Sequence, residues 1–497
     1  MISTIQSVAA LLVLLFAAAL PAEADEIDWD ATLPTTLIQQ DFTALYRGLK
    51  SAHADLFAQR SRDEYDTYYQ SMLNQFDKPL SRFDVQLAFQ RFAAFGNVAH
   101  ASIGFPDSAY DAFRERDGRT LPIYLRIVDG VAYVGENYAG NPKVRTGDEI
   151  LAINGLDMTE WLRRTAELVS ADTPYIAHSL LEYWFPRNLW ALVGEQPRFE
   201  LQLRRGDRRF DVTVAASTRE EQQAIAAKQP ATFELDSNER SFRMLNQHIG
   251  YLRPGPFYNA ENPAAPWDNA AFIAFIDGAF EHFIDQQAGS LIIDLRQNPG
   301  GDNSFSDAML AWIADEPFRF CSAFLIRSSD EAAAANAQRL ERNGGAVEGV
   351  STLFAQQYER VPRGQVFAFD IPYAQPRDGA RFKGKVFALI NRHSYSNAVN
   401  VAAIIQDYKL GVIAGEKTSD MATTYGAMET FALPNTGIDV GFPKAHIIRP
   451  SGDRKPDGVT PDWVINSPVV ASDTDRVLNV LVERIVAEGG APEGNPR

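Results

Sequence analysis

Residues 37–95 repeat apolar positions at three-to-four spacing in LIQQDFTALYRGLKSAHADLF and RDEYDTYYQSMLNQF, and Pro79 to Ser81 interrupts the run before DVQLAFQRFAAF. That period predicts a set of amphipathic helices, with His53 a structural residue within them. From Leu121 to Val214 the chain turns β-rich. LPIYLRIV and VAYVGEN join through Asp129-Gly130, and FELQLRRGDRRFDVTV turns on itself around Arg205-Gly206-Asp207, giving two predicted hairpins. A helical TEWLRRTAELV and a long insertion, ADTPYIAHSLLEYWFPRNLWALVGEQ, lie between them. After a polar helical linker, TREEQQAIAAKQ, the segments HIGYLRPGPF, SLIIDLR, KVFALIN and GVIAGE read as strands separated by helical stretches. Alternation of this kind predicts a mostly parallel sheet with helices packed on it. An insertion between Phe320 and Lys383 reads either as a flap over the site or as a surface elaboration.

The chain is organised around Lys385 to Tyr408: a strand-like KVFALI, a short NRHSYSN turn, then the apolar helical AVNVAAIIQDY. Ser396 falls at the strand-to-helix turn, where unpaired N–H groups and the helix dipole favour developing negative charge. A serine there either caps the helix or is poised for chemistry.

Composition narrows the setting. At 497 residues the chain holds two or three domains, and a net charge of −17 argues against a nucleic-acid partner. An apolar run from Val8 to Leu20 ends in Ala22-Glu23-Ala24, although no Lys or Arg precedes it. This predicts a signal peptide over 1–24, a mature start at Asp25, and a periplasmic or secreted protein with no further membrane span. Cys321 is the only cysteine, which excludes an intrachain disulfide. No carboxylate–histidine cluster has metal-ligand spacing, so no metal and no cofactor are expected.

Two further stretches carry candidate chemistry. His100 heads the short β-like run ASIGF. A lone histidine is more often structural, and its case rests on meeting Ser396 in space. Asn298-Pro299-Gly300-Gly301 follows the strand SLIID closely, and its glycines let the backbone turn sharply with an uncovered N–H. Such an N–H is either part of an ordinary strand-end turn or half of an oxyanion hole.

DLRQNPGGD, the SYSNAVNVAAIIQDY helix, GVIAGEKT and FALPNTGIDVGF…PSGDRKPDGVTPDW resemble, in order, the motifs of the S41 serine peptidases. This is the tail-specific and carboxyl-terminal-processing protease group, with its tricorn-like and chlamydial-factor relatives. The resemblance spans nearly the whole mature chain and implies an α/β multidomain protein. It would have a helical N-terminal domain over 25–100, a PDZ-like β-rich module over 101–216 and a ClpP/crotonase-like catalytic domain over 217–497. The module's likeness lies in Gly147-Asp148-Glu149-Ile150-Leu151 and Ile153-Asn154-Gly155, and such modules take an extended peptide as an added strand.

The resemblance places the nucleophile on Ser396 and oxyanion donors on Gly300 or Gly301 and Asn397. The lysine used by one branch of the family falls on Met421, with Lys417 four residues early, so a Ser–Lys dyad is not expected. His100 matches the histidine of the other branch as general base. That branch's glutamate falls on Arg454 or Lys455, which leaves Asp457, or Asp453, as the nearest orienting acid. The implied activity is that of an exported serine endopeptidase on polypeptides, held by their C-terminal end where the PDZ-like groove is open. The alternatives are a catalytically inactive peptide- or ligand-binding relative and an esterase.

Overall fold

A computed structural model describes residues 27–342 and 349–489. The expected signal peptide, residues 1–24, lies outside them. In chain order the elements that position the site begin with helices α1 (Thr35–Ala52), α2 (Arg62–Gln75) and α3 (Arg82–Ala94), followed by the short strand β1 (Ser102–Ile103). Next come β2 (Ile123–Val128), β3 (Val131–Asn137), β4 (Glu149–Ile153), helix α4 (Pro174–Val193), β5 (Arg198–Arg205) and β6 (Arg208–Ala215). The remainder runs β7 (Ser241–Met244), β8 (Ile249–Arg253), α5 (Ala270–Asp285), β9 (Ser290–Asp294), α6 (Asn303–Leu310) and β10 (Ala323–Arg327). It continues with α7 (Asp330–Arg342), α8 (Val350–Arg360), β11 (Val366–Ala368), β12 (Lys385–Ile390) and α9 (Asn397–Asp407). The last elements are β13 (Val412–Gly415), β14 (Thr424–Ala432), β15 (Asp439–Ile448), β16 (Trp463–Val464) and α10 (Arg476–Gly489).

The central sheet has the order β7-β8-β9-β12-β13-β16 and is parallel except where β7 meets β8. Its strands are apolar on both faces because both are covered. Leu291, Ile293, Val386, Ala388 and Ile390 pack with α5 and α9 on one side. Ile292, Phe387 and Leu389 pack with Leu478, Leu481 and Ile485 of α10 on the other. Because β9 and β12 are neighbours in register, with Asp294 opposite Leu389, the turns that leave their C-terminal ends lie side by side. That end of a parallel sheet is where such folds build sites.

A second, antiparallel sheet, β11-β10-β15-β14, also takes β1 on β15. Helices α1 and α3 cover it through Phe42, Leu45, Leu49, Phe89 and Phe92 against Val440, Phe442, Ala445 and Ile447. Much of the insertion between Phe320 and Lys383 is therefore core structure, since it supplies β10 and β11. Helix α7 is tied down by an Arg339–Glu429 ion pair and α8 by Phe354 and Tyr358 in the same core. A third sheet, β2-β3-β4-β5-β6, packs against α4 through Ile176, Leu181, Phe185 and Leu189. Its Asp129-Gly130 turn has both residues at positive φ, as a tight two-residue hairpin needs. Among the described residues no helix is long and apolar enough to cross a membrane.

Candidate active site

The turn after β12 is held from below by Ser394, not by Ser396. Ser394 is fully buried; its hydroxyl donates to the Leu295 carbonyl at 2.8 Å and accepts the Asn391 N–H at 3.1 Å. Asn391 in turn accepts the N–H groups of Gln297 and His393 on Oδ1, each at 3.1 Å. Side chains of the one turn thus fasten the backbone of the other, and Tyr395 adds a 2.9 Å bond from its N–H to the Asn298 carbonyl.

Ser396 stands at the N-cap position of α9 with φ 51° and ψ −122°, and its side chain makes no capping bond. Its residue is half-buried. A non-glycine residue held at positive φ costs about 1–3 kcal/mol and persists only where its surroundings enforce it. The enforcement is visible: the Ser396 N–H donates to Asp420 Oδ2 at 2.6 Å, and Met421 N–H donates to Oδ1 of the same carboxylate at 2.8 Å. Burial raises the Asp420 carboxyl to about 6, against the pull of those two N–H groups.

The Pro-Gly-Gly turn presses against this point. A Cβ on Gly300 would lie 2.6 Å from the Asn397 nitrogen and 2.9 Å from Ser396 Cβ, so only glycine, at φ 87°, permits the approach. The Gly300 N–H itself is occupied, donating to Asn298 Oδ1 at 2.8 Å. The N–H groups of Gly301 and Asn397 take part in no backbone or side-chain hydrogen bond among the described residues. Gly301 is fixed by β-type pairing with Phe257, whose carbonyl sits where a side chain on Gly301 would have to be.

His100 is buried, at 6% exposure, just ahead of β1, and its ring stacks on Tyr395 with centroids 5.3 Å apart. The sequence left open whether it meets the serine; the fold places it on the ring of the residue next to it. Burial lowers its pKa and the charge of Asp172 acts against that. Its Nδ1 is sealed from solvent with no hydrogen-bond partner among the described residues. Asp172, just before α4, accepts the Ala99 N–H at 3.0 Å. Its carboxyl is raised to about 6, first by burial and then by Asp420, with His100 pulling the other way.

Asp457 has lysine partners. Its carboxylate is 36% exposed and pairs with Lys417 at 2.5 Å and Lys455 at 3.5 Å, and the carboxylate whose charge reaches His100 is Asp172. Asp453 accepts its own loop's Lys455 N–H. Neither Asp172 nor Asp420 stood out in the sequence, because ADTP reads only as a helix start and TSDMATT only as a polar loop. Among the other histidines, His393 bonds Glu182 at 3.0 Å, His446 stacks on Tyr425, and His53 is buried beside them. Lys444 is buried and bonded to Glu429 at 2.6 Å. Among the described residues no group of three or more His, Cys, Asp or Glu side chains could hold a metal ion.

A cleft is lined by Ile176, Leu180 and Tyr183 of α4 and by Pro299 and Tyr395 of the two turns, whereas Ser396 and His100 are not among its lining residues. The insertion helix thus faces the two turns across this cleft.

No curated protein sequence matches the chain. Among solved structures it resembles mature CPAF, with a TM-score of 0.59 at 16% identity over 92% of this chain and 99% of that one. It also resembles mature CPAF complexed with lactacystin, with a TM-score of 0.57 at 16% identity over 91% of this chain and 97% of the other. At such identity these likenesses speak to the fold alone. Residues 249–465, which contain both turns and strands β8 to β16, match the profile of peptidase family S41. Over that segment the chain is similar to peptidase family S41.

Proposed function

We propose that the protein is an exported serine endopeptidase that cuts polypeptides through an acyl-enzyme on Ser396. The observation that carries this reading is the Ser396 backbone: strained, held by Asp420, with its hydroxyl not spent on capping the helix and an unpaired N–H next in the chain. The similarity of residues 249–465 to a peptidase family supports the reaction class and a polypeptide substrate. In this reading the chain follows the histidine-using, tricorn-like branch. Its domain layout is a helical N-terminal domain, a PDZ-like module and a ClpP/crotonase-like catalytic domain, with residues 1–24 directing export.

The chemistry follows from the groups in place. His100, whose burial favours the neutral imidazole, takes the Ser396 hydroxyl proton as the oxygen attacks the scissile carbonyl. The Asn397 and Gly301 N–H groups hold the resulting oxyanion; Gly300 contributes by its missing side chain, since its own N–H is committed to Asn298. The tetrahedral intermediate collapses with cleavage of the C–N bond, and the imidazolium returns the proton to the leaving amine. Water then repeats the sequence on the ester and frees Ser396.

A fluorophosphonate probe tests this on the mature protein. Labelling lost in Ser396→Ala and strongly reduced in His100→Ala is the expected result. The committed Gly300 N–H and the unpartnered Nδ1 of His100 favour a second reading, a catalytically inactive peptide-binding relative. A folded wild type that never labels supports it. Turnover of p-nitrophenyl esters without peptide cleavage indicates an esterase instead.

A further inference from the structure

We infer that Asp172, brought in by the segment ahead of α4, is the carboxylate that positions His100, in place of any acid from the 453–457 loop. This rests on the reading of His100 as the general base. Three observations converge. His100 Nδ1 is enclosed with no hydrogen-bond partner among the described residues, although an imidazole nitrogen in that setting calls for one. Asp172 accepts the N–H of Ala99, the residue immediately before His100, so its carboxylate is anchored at the base of that side chain. Both acids of the 453–457 loop have other partners, since Asp457 is paired with two lysines at the surface and Asp453 accepts the Lys455 N–H.

The consequence is a site assembled from three parts of the chain. The base comes from the segment before β1, the nucleophile from the turn after β12, and the orienting acid from the insertion at 171–196. An Asp172 carboxylate accepting Nδ1–H would hold the tautomer in which Nε2 is free to take the serine proton. It would also stabilise the imidazolium that forms. The groups facing this pair are few: the Tyr395 ring lies on His100, the Asp420 carboxylate raises Asp172, and the neutral Tyr395 and Tyr425 phenols are held protonated in part by Asp172. Asp172 is a positioning residue in this scheme, acting through His100.

The experiment follows fluorophosphonate labelling rates of wild type, Asp172→Asn and Asp457→Asn from pH 4 to 9, with folding monitored by circular dichroism. Asp172→Asn is expected to slow labelling by about 10²-fold or more and to move the acid limb about one unit lower, because the neighbouring negative charge is gone. Asp457→Asn is expected to stay within about threefold of wild type, as an exposed ion pair predicts. An Asp172→Asn protein that labels at the wild-type rate with an unmoved acid limb overturns the inference. So does a loss that appears in Asp457→Asn instead. Histidine 15N NMR of the unmutated protein, with His100→Gln identifying the signal, decides independently. An Nδ1–H tautomer is expected, and an Nε2–H tautomer overturns the proposal even where Asp172→Asn does not fold. A wild type that fails to label at any pH counts against the peptidase reading, and the NMR tautomer still judges Asp172.

Discussion

Asp420 accepts the backbone N–H of Ser396 at 2.6 Å, across a sequence gap of 24 residues. With Met421 N–H on its other oxygen, one buried carboxylate ties the serine turn to the loop after β13. Replacing it by alanine leaves two donors in the interior without partners, each costing about 1–3 kcal/mol. Asp420→Ala is therefore expected to lower the midpoint of chemical denaturation, and the loosened turn is expected to slow fluorophosphonate labelling. A variant with unchanged stability would mean the loop relaxes and finds water.

The same carboxyl gives a pH signature. Its native pKa is raised from 3.8 to about 6, so the folded state binds the proton more tightly than the unfolded chain. Its contribution to stability is fully present below about pH 4 and lost as pH rises through about 6, an effect on the order of 3 kcal/mol. Asp420→Asn removes that titration. Relative to wild type, its stability is expected to climb between pH 4 and 7, measured as the difference between the two denaturation curves. A difference that stays flat over the same range would show that Asp420 titrates at an ordinary value.

Ser396 itself is placed against its backbone preference, at φ 51° and ψ −122°. Glycine meets no Cβ penalty there. Ser396→Gly is expected to be unreactive yet more stable than wild type by about 0.5–1 kcal/mol, and more stable than Ser396→Ala by a similar margin. Equal melting temperatures for the three proteins would remove strain from the account of this turn.

The parts of this arrangement that were legible in the sequence are the local ones. The strand–turn–helix from Lys385 to Tyr408 and the glycine pair at 300–301 carry their own period and backbone signals, and they form the elements those signals predict. The antiparallel sheet built from β10, β11, β14 and β15 was not legible. The pairing that joins its halves, β10 on β15, links residues more than 100 apart, as in Ala323 opposite Ile448, and the polar, alanine-rich stretch between β10 and β11 made this part of the chain read as a flap or a surface elaboration. Asp172 and Asp420 were invisible for the same reason: an aspartate acquires meaning from the charges it faces, and those arrive from distant strands. Counting along the 453–457 loop singled out Asp457 by sequence distance, whereas the fold turns its carboxylate toward Lys417.

A last expectation concerns how substrate is held. Strand β2 is an edge of the third sheet, and an added peptide strand would need its outward N–H and C=O groups. At Ile127 both are taken: Glu182 of α4 accepts the N–H at 2.8 Å, and Arg392, from the turn that leads to Ser396, donates to the carbonyl. Glu182 also binds Arg126 at 2.9 Å, Arg392 at 3.1 Å and His393 at 3.0 Å, so this edge is locked to the turn that carries Ser396 by a buried charge network. Its partners hold the Glu182 carboxyl below its usual range against burial, a contribution present above the unfolded pKa and lost as pH falls through the folded one. Breaking such a network from one side costs about 3–5 kcal/mol, so Glu182→Ala is expected to be strongly destabilised. In the intact protein, the arginines that could receive a terminal carboxylate at this edge already hold one of the chain's own. Peptides differing only in a free or amidated C-terminus are therefore expected to be cleaved with kcat/KM values within about threefold of each other, since no ion pair is gained. A preference of tenfold or more for the free acid would show that a substrate carboxylate displaces Glu182 from Arg392, making this edge a substrate-operated latch on the serine turn.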